Sequence, residues 1–244
     1  MSSTTQDSQA PRDNQSGRRL RFYGRRKGRT LSAQRRALMD RVLARCGIDF
    51  APTDTAVIDP RSLWDQTFDQ YWLEIGFGAG EHLVAQAEAH PGVGLIGCEV
   101  FETGVASACA AIDAAGVQNL RVLADDARPF LPALKEASFD RIFLLHPDPW
   151  PKKRHEGRRF VSAARLDLFA RLLRPGAELR IATDDYNYAR WTMLQMYGRR
   201  DFTWLARCAD DWRTRPDDWP ETRYQKKAEG KGIAPVYLRF VRTA

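Results

Sequence analysis

Tyr71-Trp-Leu-Glu-Ile-Gly-Phe-Gly-Ala-Gly80 is a short apolar run that ends in three glycines at alternate positions. The apolar part predicts a buried strand, and the glycines predict a sharp turn where the backbone approaches a ligand without a Cβ clash. Further apolar or alternating runs follow, separated by segments with helical periodicity. This alternation predicts an α/β fold with a mostly parallel sheet.

The rest of the chain is assigned from the same periodicities. The predicted strands are Tyr71–Ile75, Val93–Glu99, Leu120–Ala124, Ser138–Leu145, Ala177–Ala182 and Val236–Val241. The predicted helices are Glu81–His90, Thr103–Ala115, Arg158–Leu173 and 186–197, with an earlier one capped by Ser32 and running to about Cys46. Residues 1–17 are polar without an apolar period and are predicted to be disordered. We expect a basic segment with a helix over 18–60 and the main domain over 61–244, with the tryptophan-rich stretch Trp204–Pro220 covering the sheet edge.

Charge is distributed unevenly along the 244 residues, whose formal net charge is +7. Residues 1–45 contain 12 Lys and Arg against three acids, a net of +9, whereas the remainder has a net of −2. Phe22 and Tyr23 lie among the arginines, which favours a nucleic acid over a merely solubilising tail because aromatic rings add stacking to phosphate attraction.

Cysteine spacing and hydropathy exclude several classes of protein. Cys46, Cys98, Cys109 and Cys208 are far apart, which argues against a zinc site or a disulfide framework and favours a reducing, cytoplasmic setting. The chain has no uninterrupted apolar run of about 18 residues, so we expect no membrane span. No metal is expected either.

Three acids accompany the glycine turn, each at or just after the end of a predicted strand. Glu74 closes the first strand, Glu99 ends the second and Asp126 follows the third. A carboxylate at Glu99 is placed to accept both hydroxyls of a ribose, and an acid at Asp126 commonly contacts adenine. The order acid-x-Gly-x-Gly-x-Gly resembles the first motif of S-adenosylmethionine methyltransferases and departs from the dinucleotide fingerprint. The predicted cofactor site therefore consists of Glu74, Gly76, Gly78, Gly80, Glu99 and Asp126.

A second constellation is the turn Leu145-His-Pro-Asp-Pro-Trp-Pro-Lys-Lys-Arg154. Its prolines hold Asp148 and Trp150 on a stiff segment after the fourth strand, where open α/β sheets bind ligands. An acid, a flat aromatic ring and a basic run suit a nucleobase and its phosphates, although a rigid connecting loop with solvated lysines is the alternative. Trp150 either stacks on a base or packs into the core. The cations predicted to meet an RNA backbone are Lys152, Lys153, Arg154, Arg158 and Arg159.

From Arg18 to Arg242 the chain resembles the bacterial TrmB-type tRNA (guanine-N7)-methyltransferases. The motifs that carry the resemblance are Arg25–Gln34, Leu73–Gly80, Pro147–His155, Ala182–Asp184 and Thr222–Gln225, of which the Pro-Asp-Pro-Trp segment with its basic run is the most specific. The resemblance implies a Rossmann-like class I fold with a seven-stranded, mostly parallel sheet and helices on both faces. It also implies methyl transfer from S-adenosylmethionine to N7 of a guanine in the variable loop of tRNA.

Carried onto this chain, the resemblance implies a role for individual residues. Glu74, Glu99 and Asp126 would lie at the cofactor, and Asp148 would be the central acid of the active site. The residues implied to contact the substrate are Lys152, Asp184, Thr222, Arg223, Tyr224 and Gln225. Gln225 departs from the family's usual glutamate, and an amide keeps the acceptor oxygen without the charge.

The chemistry agrees with the residues that are present. N7 of guanine already exposes a lone pair, so no general base is required, and His82, His90, His146 and His155 form no nucleophile-base constellation. Alternatives are a methyltransferase for exocyclic amines, a non-catalytic RNA-binding subunit and, more remotely, a dehydrogenase. Both a monomer and a homodimer are compatible with the sequence.

Overall fold

A seven-stranded sheet forms the centre of the computed structural model, which describes residues 24, 26–51, 56–220 and 234–244. The strands are β1 (Gln70–Ile75), β2 (Val93–Cys98), β3 (Leu120–Leu123), β4 (Phe139–Leu145), β5 (Leu173–Thr183), β6 (Phe202–Trp204) and β7 (Val236–Arg242). Their order in the sheet is β3-β2-β1-β4-β5-β7-β6. Strands β1 to β5 pair in parallel, whereas β7 is antiparallel to both β5 and β6. The predicted mostly parallel α/β sheet is confirmed.

Helices lie between the strands, as the alternating pattern predicts. They are α1 (Ala33–Cys46), α2 (Glu81–Ala89), α3 (Glu102–Ala115), α4 (Ala127–Ala133), α5 (Ala163–Leu172), α6 (Tyr186–Met196) and α7 (Asp210–Arg213). Ser32 caps α1 as predicted, because its side chain accepts from the backbone N–H of Arg35. No helix within the described ranges is long and apolar enough to cross a membrane.

Successive strand residues bury opposite faces of the sheet. Leu73 and Ile142 belong to one hydrophobic cluster, and their neighbours Trp72 and Phe143 belong to the other. A strand alternates its side chains between faces, so an apolar residue at every position requires both faces to be covered. This burial fixes the register of the sheet and hence the position of the loops at its carboxyl edge.

Two sequence predictions about the second half of the chain are wrong. The predicted helix Arg158–Leu173 begins only at Ala163, because Ser162 caps it and residues Lys153–Arg158 form a separate 3₁₀ helix. The predicted strand Ala177–Ala182 begins earlier, at Leu173, with an irregularity opposite β4 that accommodates Gly176 at φ 83°.

Three short elements, α4, β6 and the four-residue α7, were not predicted from the periodicity. Helix α4 contains an internal proline, Pro132, and β6 has three residues, which is too short for an alternating pattern to be recognised. Trp204 belongs to β6 itself, whereas Trp219 is buried against Tyr237 on a face of the sheet. The tryptophan-rich stretch therefore contributes to the edge strand and also covers a face.

The N-terminal helix α1 is packed onto α3. Val42 and Cys46 are buried in one cluster with Cys109 of α3. Ion pairs surround this contact, with Arg36 bonded to Glu102 at 3.0 Å and Arg41 to Asp113 at 2.8 Å. Part of the positive charge of residues 1–45 is thus paired within the protein. How the chain divides near residue 60 stays a prediction, and the predicted disordered tail 1–17 lies outside the described residues.

Candidate active site

A cleft of about 1000 Å³ opens at the carboxyl ends of β1 to β4. Open α/β sheets bind ligands at this edge, where the strand order reverses between β1 and β4. Its walls combine the glycine loop, the acids after β2 and β3, and the proline-rich turn after β4. The predicted site residues that line it are Glu74, Gly76, Gly78, Glu99, Asp126 and Asp148, together with His146 and Trp150.

The glycine loop has the backbone conformation that its sequence predicts. Gly76 has φ 74°, a left-handed conformation that side chains disfavour, and no atom lies within 4 Å of where its Cβ would be. At Gly80, φ is 82° and a Cβ would lie 2.6 Å from that of Ala108. The left-handed backbone alone therefore explains why position 76 is a glycine. At Gly80 the close approach of α3 is a second reason, because it leaves no room for a Cβ. The open space at Gly76 faces the cleft that a ligand would fill.

Glu99 ties the end of β2 to the glycine loop. Its Oε2 accepts from the backbone N–H of Gly78 at 2.8 Å, and its Oε1 accepts from those of Val100 and Phe101, each at 2.8 Å. Burial raises the pKa of Glu99 above its ordinary value, although the three amides oppose that shift. A carboxylate has about four acceptor positions, so with three amides bound about one position, on Oε2, remains for a hydroxyl of a ligand.

Glu74 and His82 form a buried pair beneath this loop. Glu74 is 3% exposed, and its Oε2 lies 2.7 Å from Nδ1 of His82, which is 2% exposed. His82 is on the first turn of α2, directly after the glycines. Sequence reasoning noticed this histidine but assigned no role to it, since only the fold brings two residues eight positions apart into contact.

The carboxylate of Asp126 is bonded to Arg128. It caps α4 by accepting from the backbone N–H of Arg128 at 3.0 Å, and it accepts from Nε of the same arginine at 2.9 Å. The neighbouring Asp125 is paired with Arg26 at 2.8 Å. Asp126 therefore lies in the cleft wall as predicted, with its carboxylate bonded to Arg128. Its role at an adenine remains a prediction.

The Pro-Asp-Pro-Trp turn is held from below by Arg159. This buried guanidinium donates from Nε to the carbonyl of Pro149 at 3.0 Å and from Nη2 to that of Trp150 at 3.3 Å. It also lies over the Trp191 ring, 4.7 Å from the centroid. The prediction that Arg159 meets an RNA backbone is therefore wrong, because its charge is used to fix the turn. The signal that identifies such an arginine is its burial, which the sequence does not display.

Strained backbone flanks the acid at the centre of this turn. His146 has φ 47° and Trp150 has φ 43°, and such conformations cost on the order of 1–3 kcal/mol for residues other than glycine. The N–H of His146 donates to the carbonyl of Ala182 at 2.8 Å, which attaches the turn to β5. Asp148, between the two strained residues, is exposed at the cleft. Rigid presentation of an exposed carboxylate is what an active-site acid requires.

The indole of Trp150 lines the cleft and is half-buried. His155 contacts it edge-on with centroids 5.7 Å apart, and the guanidinium of Arg158 lies 5.0 Å from its ring. The ring is absent from both hydrophobic clusters of the described chain. Of the two sequence alternatives, the geometry disfavours packing into the core, because the ring lies at the cleft.

Asp184 lies close to the same turn. Its Oδ1 is 3.5 Å from Nδ1 of His146, and its side chain is 46% exposed. Burial lowers the pKa of His146, and the charge of Asp184 opposes this. Asp185 accepts from the backbone N–H of Tyr188 at 2.8 Å and so caps α6.

The remaining predicted substrate contacts divide into two groups. Lys152 is exposed beside the turn, together with Lys153 and Arg154. Thr222, Arg223, Tyr224 and Gln225 lie outside the described residues. Within the described ranges, no group of His, Cys, Asp or Glu side chains is arranged to hold a metal ion.

The strand order and the cleft define a class I S-adenosylmethionine-dependent methyltransferase fold. Solved structures with the same fold include the 16S rRNA methyltransferase KamB, with a TM-score of 0.54 at 18% identity over 76% of this chain and 91% of that chain. A second is titled an antibiotic-related methyltransferase, with a TM-score of 0.50 at 14% identity over 81% of this chain and 96% of that chain.

Sequence comparison identifies the family. The family described as "Putative methyltransferase" matches residues 69–236. The tRNA (guanine-N(7)-)-methyltransferase of Rhodospirillum rubrum is 52% identical over 223 residues, which are 91% of this chain and 88% of that protein. The enzyme of the same name from Ruegeria pomeroyi is 45% identical over 99% of both chains. The chain belongs to the tRNA (guanine-N7)-methyltransferase family, which confirms the resemblance and the prediction of an S-adenosylmethionine-dependent enzyme.

Proposed function

We propose that the protein transfers a methyl group from S-adenosylmethionine to N7 of a guanine in the variable loop of tRNA. The observation that carries this proposal is the position of Asp148. This exposed acid opens into the same cleft as the glycine loop and Glu99, on a turn that Arg159 holds rigid. An acceptor base at Asp148 and a methyl donor at the glycine loop would therefore share one cleft.

The residues at the glycine loop fit this cofactor. S-Adenosylmethionine has two cationic groups, the ammonium and the sulfonium, and no phosphate, so a wall that contains the carboxylates of Glu74 and Glu99 suits it electrostatically. Glu99 retains about one acceptor position, on Oε2, for a ribose hydroxyl. The left-handed backbone at Gly76 keeps side chains out of the space beside them. When bound, the cofactor supplies an electrophilic methyl group.

Asp148 is the residue to which we assign the transition-state role. Positive charge moves onto the purine as its N7 acquires the methyl group, so a carboxylate near the purine is better placed in the transition state than before it. N7 exposes its lone pair already, and no residue needs to remove a proton from it. Trp150 and Asp184 then orient the base, which is a contribution of position rather than of bond-making.

A folded tRNA needs contacts around the reacting base. The exposed cations Lys152, Lys153 and Arg154 lie directly after the turn and suit the RNA backbone. Contacts from Thr222–Gln225 and from the basic segment after residue 17 stay predictions, as do a cytoplasmic location and a monomeric or homodimeric state.

A transfer assay tests the reaction and the acceptor together. The full-length protein is incubated with unmodified tRNA and cofactor labelled in the methyl group, and the digested nucleosides are resolved by mass spectrometry. We expect label only in 7-methylguanosine, mapped to the variable loop. Label in another nucleoside overturns the acceptor and keeps the cofactor, and binding of the cofactor without transfer overturns the assignment of tRNA as acceptor.

A further inference from the structure

A buried chain of hydrogen bonds runs from the cofactor cleft to the loop before Pro220. It joins the carboxylate of Glu74, the imidazole of His82, the amide of Gln86 and the backbone carbonyl of Asp218. His82 Nδ1 lies 2.7 Å from Glu74 Oε2, and its Nε2 lies 3.3 Å from Gln86 Nε2. The same Gln86 nitrogen lies 2.7 Å from the oxygen of Asp218. The three side chains are between 1% and 3% exposed, so they are almost entirely enclosed by the protein.

The carbonyl of Asp218 sets the direction of this chain. A carbonyl only accepts, so the Gln86 atom at 2.7 Å must be the amide nitrogen, and the reversed amide would place two oxygens at that distance. The second N–H of the same nitrogen is then directed at Nε2 of His82. Two donors do not face each other in a buried network, so Nε2 must be an unprotonated acceptor. The single proton of the imidazole is therefore on Nδ1 and is donated to Glu74.

The acceptor at the far end is held in place. The carboxylate of Asp218 accepts from the buried guanidinium of Arg180 at 2.8 Å. Trp219 is 2% exposed, with its ring centroid 6.0 Å from that of His82. Phe143 contacts the same imidazole edge-on, with ring centroids 4.7 Å apart. The imidazole thus has little freedom to turn, and the amide that fixes its proton is itself anchored.

We infer that His82 is a positioning residue for the cofactor, acting as a neutral imidazole with its proton on Nδ1. In that form it orients the Glu74 carboxylate and leaves its full negative charge available to the cationic end of S-adenosylmethionine. An imidazolium at the same place would cancel that charge and would compete with the cofactor. This inference rests on the proposed function, because it takes Glu74 as a cofactor-binding residue.

Two substitutions distinguish the effect of the hydrogen bond donated to Glu74 from the effect of filling the space that His82 occupies. In His82→Asn the side-chain amide nitrogen replaces Nδ1 and keeps the donor to Glu74, whereas His82→Leu fills the space without one. We expect His82→Leu to weaken cofactor affinity about tenfold or more, since the hydrogen bond goes to a charged group. His82→Asn should stay within about threefold of the parent. His90→Asn, on a histidine at the end of α2 and outside the cleft, is the matched control.

The measurements are cofactor titration by calorimetry and long-range ¹H–¹⁵N NMR of protein labelled at histidine. The spectrum of the unsubstituted protein at neutral pH should show His82 as the Nδ1–H tautomer, assigned by its loss in His82→Asn. An imidazolium or an Nε2–H tautomer overturns the inference even where the leucine variant fails to fold. Equal weakening by the two substitutions, or weakening by neither, also overturns it.

Failure of the proposed function has a different signature. Absence of methyl transfer to tRNA alters neither the tautomer nor the cofactor titration. If Glu74→Gln leaves the cofactor affinity unchanged, Glu74 is not a cofactor-binding residue and the positioning role of His82 is overturned. The NMR result for the unsubstituted protein would still describe the fold.

Discussion

Replacement of Asp148 by asparagine should reduce methyl transfer without weakening cofactor binding. The carboxylate is exposed in the free protein, but a base bound over it and a cofactor in the cleft would exclude water. With an effective dielectric constant of about 20 and a separation of about 4 Å, moving about half a unit charge onto the purine stabilises the transition state by about 2 kcal/mol. Loss of that term lowers the rate about 30-fold. The amide has nearly the same shape, so Arg159 should still hold the turn.

The assay is single-turnover transfer at saturating cofactor, with cofactor affinity measured separately by calorimetry. Glu136→Gln removes an equivalent negative charge from an exposed acid at the amino end of β4, away from the cleft, and should leave the rate unchanged. An Asp148→Asn rate within a factor of about two of the parent refutes the electrostatic role. A large loss of cofactor affinity refutes the separation of the two sites within the cleft.

Three further outcomes are expected. Arg159→Met should lower the melting temperature by the equivalent of about 1–3 kcal/mol, because two carbonyls lose their buried donor. It should also lower kcat more than it raises the cofactor KM. Calorimetric unfolding and steady-state kinetics measure the two effects, and an unchanged kcat contradicts the role of Arg159 in holding the turn. Cofactor affinity should fall as the pH is lowered through a window above the ordinary glutamate pKa of 4.5, because burial raises the pKa of Glu99 and protonation would remove the acceptor that we propose for the ribose. Titrations across that range in the parent and in Glu99→Gln check this, since the substituted protein should lack the transition. Deletion of residues 1–30 should weaken tRNA binding and flatten its dependence on salt, and equal binding at low salt would remove this segment from the RNA contact.

The carboxyl edge of the sheet was the most predictable part of the molecule. The apolar run before the glycines, and those before Glu99 and Asp148, are strands that end within about one residue of the predicted positions, because buried parallel strands show as continuous apolar runs. Parallel strands present their carboxyl ends at one edge, so a set of strand-end acids is already a prediction of a common site.

Contacts across the sequence were less predictable. In the sequence, Arg159 cannot be distinguished from the other cations of the basic run. Only its burial under the turn shows that it donates to the carbonyls of that turn. Asp126 reads as a ligand acid, but a partner two residues later, Arg128, occupies its carboxylate. The helix predicted from Arg158 begins five residues later because Ser162 offers a stronger cap than any residue before it. Which of several nearby partners a side chain bonds depends on distances and burial in the folded protein, and the residue types alone do not give these.

Transfer to a tRNA that contains 7-deazaguanosine tests the central claim most directly. The analogue replaces N7 by carbon while the exocyclic amine and the pairing edge of guanine are kept. We predict full transfer to the normal transcript and none to one substituted with 7-deazaguanosine at the variable-loop acceptor, with the two RNAs binding equally well. Continued transfer to the substituted tRNA would contradict N7 as the acceptor and would favour an exocyclic amine instead.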